Sequence, residues 1–161
     1  MRAQELSTVL WRERELLELL MFKLEEERLL LTSGNNKWLP FATREVEQVL
    51  DRIRESGIER AMCIEALSDD WGAGDDPTLR AIIAHAPTDA WRDNFQGHLQ
   101  ALTELAAAIA ELRDANLTYL RAASRATQET LATLSADIAT YNSRGDTGYA
   151  PTVAQLFDGS M

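Results

Sequence analysis

Hydrophobic positions near the start of the chain recur at helical spacing. Between residues 6 and 31, leucines follow one another at steps of three and four, which places them along one side of an α-helix. The stretch contains no Gly or Pro, and strong helix formers fill nearly every position. The leucines of this wide apolar side are Leu6, Leu10, Leu16, Leu17, Leu19, Leu20, Leu24, Leu29, Leu30 and Leu31. Because so broad a side is unfavourable in water, we expect the rest of the chain or a partner to cover it.

Two glutamates decide between a long coiled coil and a globular bundle. Glu13 and Glu27 fall on the seam of the strict heptad, where a continuous coiled coil would prefer Leu or Ile. Their positions therefore favour a globular bundle. Gly34 lies in a polar stretch directly after the helix, which is typical of a C-terminal cap.

A second helix is predicted over residues 41–67, after a turn short enough to make the two helices antiparallel neighbours. Its apolar positions at helical spacing are Val46, Val49, Leu50, Ile53, Ala61, Ile64 and Leu67. Gly57 interrupts this pattern at a cost of about 1 kcal/mol relative to Ala, so it indicates either a bend or a close helix contact.

The turn between these helices carries Trp38, Leu39 and Phe41 around Pro40. We interpret the three apolar side chains as a hydrophobic plug that closes the helix pair at its turn. The alternative is an exposed aromatic knob that docks on a partner.

Residues 68–76 form a loop by composition and contain four aspartates. They do not match a calcium-binding loop, because the spacing of ligands and the terminal Glu of an EF-hand are missing. Asp76 followed by Pro77 instead predicts an N-cap with proline at the first helical position. A short third helix is thus expected over residues 77–85.

From Thr88, a possible cap, to about residue 142 there is no proline and only one glycine, Gly97. Such a helix would be about 80 Å long at 1.5 Å per residue. Its first apolar stripe is Trp91, Phe95, Leu99, Leu102, Leu105, Ile109 and Leu112. Its second stripe is Leu117, Leu120, Thr127, Leu131, Leu134, Ile138 and Tyr141. Ala, Ser and Thr surround the second stripe, so its hydrophobic mass is thin, and the first helix, another copy or a partner must face it.

Together these segments predict an all-α fold: an elongated antiparallel, coiled-coil-like bundle with two long helices, a medium one and a short one. We expect residues 1–145 to form a single helical domain and residues 146–161 to form a flexible tail. The net charge of -10 argues against nucleic acid and against anionic membranes. No secretory signal or membrane-spanning run is apparent, and the single cysteine fits a reducing compartment, so a cytoplasmic location is expected.

No group of residues resembles an active site, a metal site or a cofactor site. His85 and His98 lack acidic partners at zinc-motif spacing, so both are expected at the surface or at helix ends. Cys63 lies in mid-helix beside apolar residues and is interpreted as a small buried hydrophobe. Gly72-Ala73-Gly74 does not match a phosphate-binding loop, because the lysine that follows the glycines in that motif is missing. We therefore predict a protein that is not an enzyme and that acts through a surface.

Several blocks resemble a known family. They are LWRERE from Leu10, FKLEE from Phe22, WL at Trp38, ATREV from Ala42 and YNSRG from Tyr141. These blocks, and the order of a small helix, a proline and a long helix, are similar to the flagellar export chaperone FlgN family, especially its actinobacterial-type members. The likeness extends to Gly145 and excludes the tail.

The resemblance implies a helical cytoplasmic chaperone without catalytic activity. Family members hold the hook–filament junction proteins of the flagellum unassembled, bind the C-terminal amphipathic helix of these clients, and deliver them to the type III export gate. The family places client binding in the C-terminal part of the chaperone. It also places docking to the membrane component of the gate at a tyrosine near that end, which matches Tyr141 here, with Tyr149 as the possible substitute.

The second stripe is accordingly our predicted client groove, because an amphipathic client helix would add its apolar face there. The predicted partner-binding residues are Leu117, Leu120, Leu131, Leu134, Ile138 and Tyr141. Two alternatives stay open: the stripe packs on the first helix within the monomer, or two copies form a self-associating structural bundle, a homodimer, in which each completes the other's long helix.

Overall fold

A computed structural model of the protein describes residues 1–75 and 77–144, with side chains described as far as residue 140. Its elements are four α-helices, α1 (Arg2–Ser33), α2 (Leu39–Trp71), α3 (Leu79–Ala84) and α4 (Asp89–Arg144). The all-α prediction is confirmed. The chain divides into two compact units, Met1–Arg121 and Ala122–Met161, and each is described by itself. The boundary predicted at residue 145 lies outside the described residues.

Glycines in the left-handed conformation end the first two helices. Gly34 has φ 69° and its N–H donates to the carbonyl oxygen of Leu30, so the predicted cap of α1 is confirmed. Gly72 ends α2 in the same way, with φ 70°. The second helix thus continues past the predicted end at residue 67. The added turn places the ring of Trp71 within 6.0 Å of the ring of Phe95, so tertiary packing extends the helix.

The start of α3 differs from the prediction. Thr78, in extended conformation, is the N-cap, and its side-chain oxygen accepts a hydrogen bond from the backbone N–H of Ala81 at 3.2 Å. The prediction of a helix that begins at Pro77 is therefore wrong, and Asp76 itself lies outside the described residues. The hydroxyl of Thr78 satisfies an orphan N–H of the first turn, which fixes the helix start two residues later. The cap predicted at Thr88 is confirmed, since its hydroxyl accepts from the N–H of Trp91.

Within Met1–Arg121, α1 and α2 are antiparallel. The guanidinium of Arg2 contacts the carboxylate of Asp70 at 2.7 Å, near the end of α2. The ammonium of Lys23 contacts the carboxylate of Glu45 at 2.8 Å, near the start of α2. Residue numbers rise along α1 as they fall along α2, which confirms the predicted antiparallel pair.

The same unit brings α4 parallel to α1. The hydroxyl of Ser7 donates to the side-chain oxygen of Asn94 at 3.2 Å. Further along both helices, the amide of Asn116 donates to the carbonyl oxygen of Leu24 at 2.9 Å. The alternation of direction through α1, α2 and α4 follows from the short α3, which lies where the chain turns back after α2.

Two apolar clusters fill this unit. The first cluster consists of Ala3, Leu6, Leu10, Ile64, Leu67, Ile82, Ile83 and Phe95. The second cluster consists of Leu20, Leu24, Val46, Val49 and Leu112. Between them along α1 lies Glu13, whose carboxylate pairs with the guanidinium of Arg60 at 2.6 Å. Burial raises the pKa of the Glu13 carboxyl. A paired charge at this seam position interrupts the apolar core, in agreement with a bundle of finite clusters.

The aromatic side chains of the α1–α2 turn are exposed, so the predicted buried plug is wrong. Trp38 and Phe41 are 48% and 58% exposed, and their rings contact each other with centroids 5.7 Å apart. Ala42 and Val46 occupy the buried positions in the first turns of α2 instead. The inward face is thus filled without the aromatic rings.

Candidate partner-binding surface

The exposed apolar stripe of α4 within the second unit is formed by Leu131, Leu134 and Ile138. Their spacing of three and four residues places them on one face of the helix. They are 58%, 52% and 60% exposed. Every described side chain from residue 122 to 140 is exposed. Three large aliphatic side chains on one exposed helix face form a surface suited to another apolar face.

The local sequence favours helix here even though few side chains are buried. Residues 98–144 contain no Gly or Pro, and alanine is frequent. Threonine hydroxyls donate back to carbonyl oxygens four residues earlier: Thr127 to Ala123 at 3.0 Å and Thr130 to Ala126 at 2.9 Å. These bonds satisfy the hydroxyls at the carbonyls that the helical N–H groups also use, which slightly weakens the helix, so alanine and the absence of Gly and Pro favour helix in this segment.

The segment that carries the stripe has few charged side chains. Between residues 122 and 140 the charged residues are Arg125, Glu129 and Asp137. No ion pair is found among the described side chains of this segment. Its contribution to recognition is therefore chiefly apolar area, and its few charges are free to meet charges of a partner.

The remaining predicted site residues differ in position. Leu117 is exposed and Leu120 is half-buried, and both lie in Met1–Arg121. Tyr141 belongs to α4 by its backbone, while its side chain lies outside the described residues, as does the whole of Tyr149. The structure thus describes exposure for Leu117, Leu131, Leu134 and Ile138, and it leaves the tyrosines as predictions.

His98 is buried, so the prediction of a surface or helix-end position is wrong for this residue. It is 2% exposed, and its Nε2 lies 3.4 Å from the hydroxyl oxygen of Ser7. The ring of Trp11 meets the imidazole edge-on at 5.0 Å. The residue lies between Phe95 and Leu102 on the inward face of α4, and that periodicity was the signal for burial.

The contact between Ser7 and His98 is not a catalytic pair. Among the described residues, no hydrogen-bond partner meets the buried Nδ1 of His98, so no acid orients the imidazole. The imidazole is enclosed between α1 and α4. The imidazole of His98 therefore serves packing. His85, by contrast, is exposed at the C-cap of α3, as predicted.

We expect His98 to make the protein less stable in mildly acidic solution. Burial, followed by the nearby Arg14, lowers the pKa of His98 below its ordinary value of 6.5. The unfolded chain therefore binds the proton more readily. Stability should be complete above about pH 6.5 and should fall as the pH drops from there toward the lower folded-state pKa. Urea titrations of the wild type and of His98→Gln at pH 7.5 and 5.5 measure this, and an equal loss in both proteins would contradict the assignment.

Asn116 is a second buried polar residue that the sequence did not single out. Its amide also donates to the carboxylate of Glu27 at 3.2 Å, and that carboxylate accepts from the hydroxyl of Thr43 at 3.0 Å. Asn116 follows Leu112 by four residues on the inward face of α4. Through the carboxylate of Glu27 it links α4 to both α1 and α2 near the second cluster.

Other chemistry finds little support in the described residues. Cys63 is half-buried, and burial with the nearby Glu59 and Glu5 raises the pKa of its thiol, which disfavours a reactive thiolate. No group of described His, Cys, Asp and Glu side chains could hold a metal ion. No described helix is long and apolar enough to cross a membrane.

Comparison with known proteins identifies the family. The family model described as FlgN protein matches residues 1–148, nearly the whole chain. Comparisons with curated proteins and with solved structures returned no match. The match covers α1 to α4, so the helices and the exposed stripe described above all fall within it. The chain belongs to the FlgN family, the flagellar export chaperone family.

Proposed function

We propose that this protein is the export chaperone of hook–filament junction proteins. It binds the C-terminal amphipathic helix of a client and delivers the client to the membrane component of the flagellar export gate. The family, a chaperone family not known as enzymatic, supports the general role. The observation that supports the binding site is the exposed stripe of Leu131, Leu134 and Ile138 on α4.

The physical basis is burial of two apolar helix faces against each other. A client helix that removed roughly 1,000 Å² of apolar surface from water would gain about 25 kcal/mol before costs. Loss of rotational freedom and ordering of the client segment offset most of that gain. The result is a reversible affinity, which a carrier requires because it must release its client at the gate.

Binding of a client peptide tests the proposal. Isothermal titration of the full chain with a synthetic C-terminal helix from a junction protein of the same bacterium should give a one-to-one complex. Light scattering with and without the peptide gives the oligomeric state. A stable dimer that ignores the peptide would contradict the proposal and would support the alternative, a self-associating structural bundle in which second copies cover the exposed stripes.

Gate docking forms a separate step of the proposal, and Tyr141 is its proposed residue. We expect Tyr141→Ala to lower the export of junction proteins in flagellated cells by more than any loss of affinity for the client peptide accounts for, because the docking step then fails as well. Immunoblots of culture supernatants measure export. The matched variant Tyr149→Ala is the control: if it alone lowers export, the docking residue is Tyr149.

A further inference from the structure

A second apolar groove lies in Met1–Arg121, between α2 and α4. Its volume is about 780 Å³, and its apolar lining includes Ala61 and Ile64 of α2 with Leu99, Leu102 and Ala106 of α4. Leu79 at the start of α3 also lines it. Since α1 packs against both α2 and α4, the groove lies where a further helix could complete the bundle.

The α2 wall of this groove is extended by exposed apolar side chains. Ile58 precedes Ala61 by three residues and so lies at the edge of the groove face, and Met62 follows Ile58 by four and continues the apolar surface away from the groove. They are 65% and 66% exposed. Large apolar side chains beside an open apolar groove are the features of a helix-binding surface.

Gly57 lies one turn before Ala61 on the same face of α2. Its conformation is helical, so no positive φ requires glycine there. A Cβ built at Gly57 meets nothing within 4 Å in the described part of the chain, so no internal contact requires glycine either. The sequence-based expectation of a close helix contact is therefore not met within the chain. A glycine that weakens its own helix without an internal reason suits close approach of a helix from outside.

The charges at the groove favour a partner helix with basic side chains. Glu65 and Asp75 line it and are exposed, and neither has an ion pair or a hydrogen bond among the described residues. The basic residue of the lining, Arg60, already pairs with Glu13. A partner with lysine or arginine beside its apolar face would complement the two free carboxylates.

We propose that the groove between α2 and α4 is a second docking site and that its occupant is a basic amphipathic helix of another protein. The site uses none of the stripe residues 131–138, so it goes beyond the function proposed above. A second copy of this chain is a poorer occupant, because its exposed segment 122–140 carries one basic residue against two acidic ones.

Titration of the full chain with a fluorescein-labelled Leu/Lys amphipathic peptide of about 18 residues, five helical turns, tests the site. We expect the peptide to bind. A Leu/Glu peptide of the same pattern should bind at least about tenfold more weakly, because its carboxylates would oppose those of Glu65 and Asp75. Gly57→Leu should lower the affinity for the Leu/Lys peptide about tenfold by placing a bulky side chain one turn from Ala61, beside the groove. Circular dichroism checks that this variant keeps its helices.

Gly57→Ala and Gly97→Ala form the matched pair of controls. Gly97 is also helical and free of neighbours within 4 Å of an added Cβ in the described structure. It is exposed where Gly57 is half-buried, and its position two residues before Leu99 places it on the other side of α4 from the groove. Both substitutions should raise Tm, since alanine favours helix over glycine. Only Gly57→Ala should weaken peptide binding.

Three outcomes would overturn the proposal. Equal peptide affinity in the Gly57 and Gly97 variants would show that the groove is not used. Loss of binding only in Leu131→Asp/Leu134→Asp would place the peptide on the α4 stripe, and it would leave the proposed client site standing. A dimer that Gly57→Leu dissociates would assign the groove to a second copy of the chain.

Discussion

Replacing Leu131 and Leu134 together with aspartate is expected to abolish binding of the client peptide and to leave the protein folded. Both side chains are more than half exposed, so their loss removes little internal burial. Exposed substitutions of this kind usually change the free energy of unfolding by no more than about 0.5 kcal/mol each. In the complex the same carboxylates would be buried against an apolar helix, which costs several kcal/mol without a partner charge. Calorimetric titration and urea unfolding measure the two effects.

Leu29→Asp provides the matched control for that variant. Leu29 is 66% exposed, lies on α1 in the other unit and is outside the proposed client site. It should neither unfold the protein nor change the affinity for the client peptide. Wholesale loss of helix in the double variant would mean that Leu131 and Leu134 pack within the chain, as in the monomer-packing alternative. Retained affinity would place client binding elsewhere.

The helices of this protein are largely predictable because their signals are local. Leucine periodicity predicts α1, and Gly34 at its end and Thr88 before α4 cap as their residue types indicate. The end of α2 and the start of α3 could not be predicted from hydrophobic periodicity. The ring of Trp71 packs on Phe95 and lengthens α2, and Thr78 serves as the cap in the place predicted for Asp76.

Buried polar residues escaped the sequence-based prediction for a different reason. His98 and Asn116 lie at inward positions of the first stripe of α4, where the repeat itself indicates burial. Residue type suggested the surface instead, because polar side chains are usually exposed. Their partners Ser7, Leu24 and Glu27 are about 90 residues away in sequence, as the handful of hydrogen bonds between α1 and α4 shows. Contacts of that range cannot be predicted from one helix alone.

The candidate surface was likewise predictable in part. Spacing predicts that Leu131, Leu134 and Ile138 share a helix face, and the structure adds that this face is exposed. The groove between α2 and α4 had no local signal beyond Gly57, because a groove is formed by two helices whose register is set by packing. Periodicity identifies a face, whereas only the fold determines what covers it.

Phe95→Ala is expected to cause the largest loss of stability, about 3–5 kcal/mol, because it leaves a cavity in the first cluster. Phe95 is fully buried. Its ring stacks on Trp91, one turn earlier on α4, at 5.6 Å and lies 6.0 Å from the ring of Trp71 of α2, so the substitution removes contacts within α4 and between α4 and α2. A loss of this size is a large share of the roughly 5–15 kcal/mol that stabilises an ordinary domain. Urea unfolding followed by circular dichroism measures it.

Phe41→Ala is the matched control, since it removes the same side chain from an exposed position on α2. It should change the free energy of unfolding by about 0.5 kcal/mol or less. The comparison isolates burial, because the two substitutions delete the same atoms from helices. The first cluster joins residues of α1, α2, α3 and α4, so the cavity at Phe95 should weaken all four elements at once. A cost no greater than that of Phe41→Ala would show that the contact of Phe95 with Trp71 does not hold α4 and α2 together.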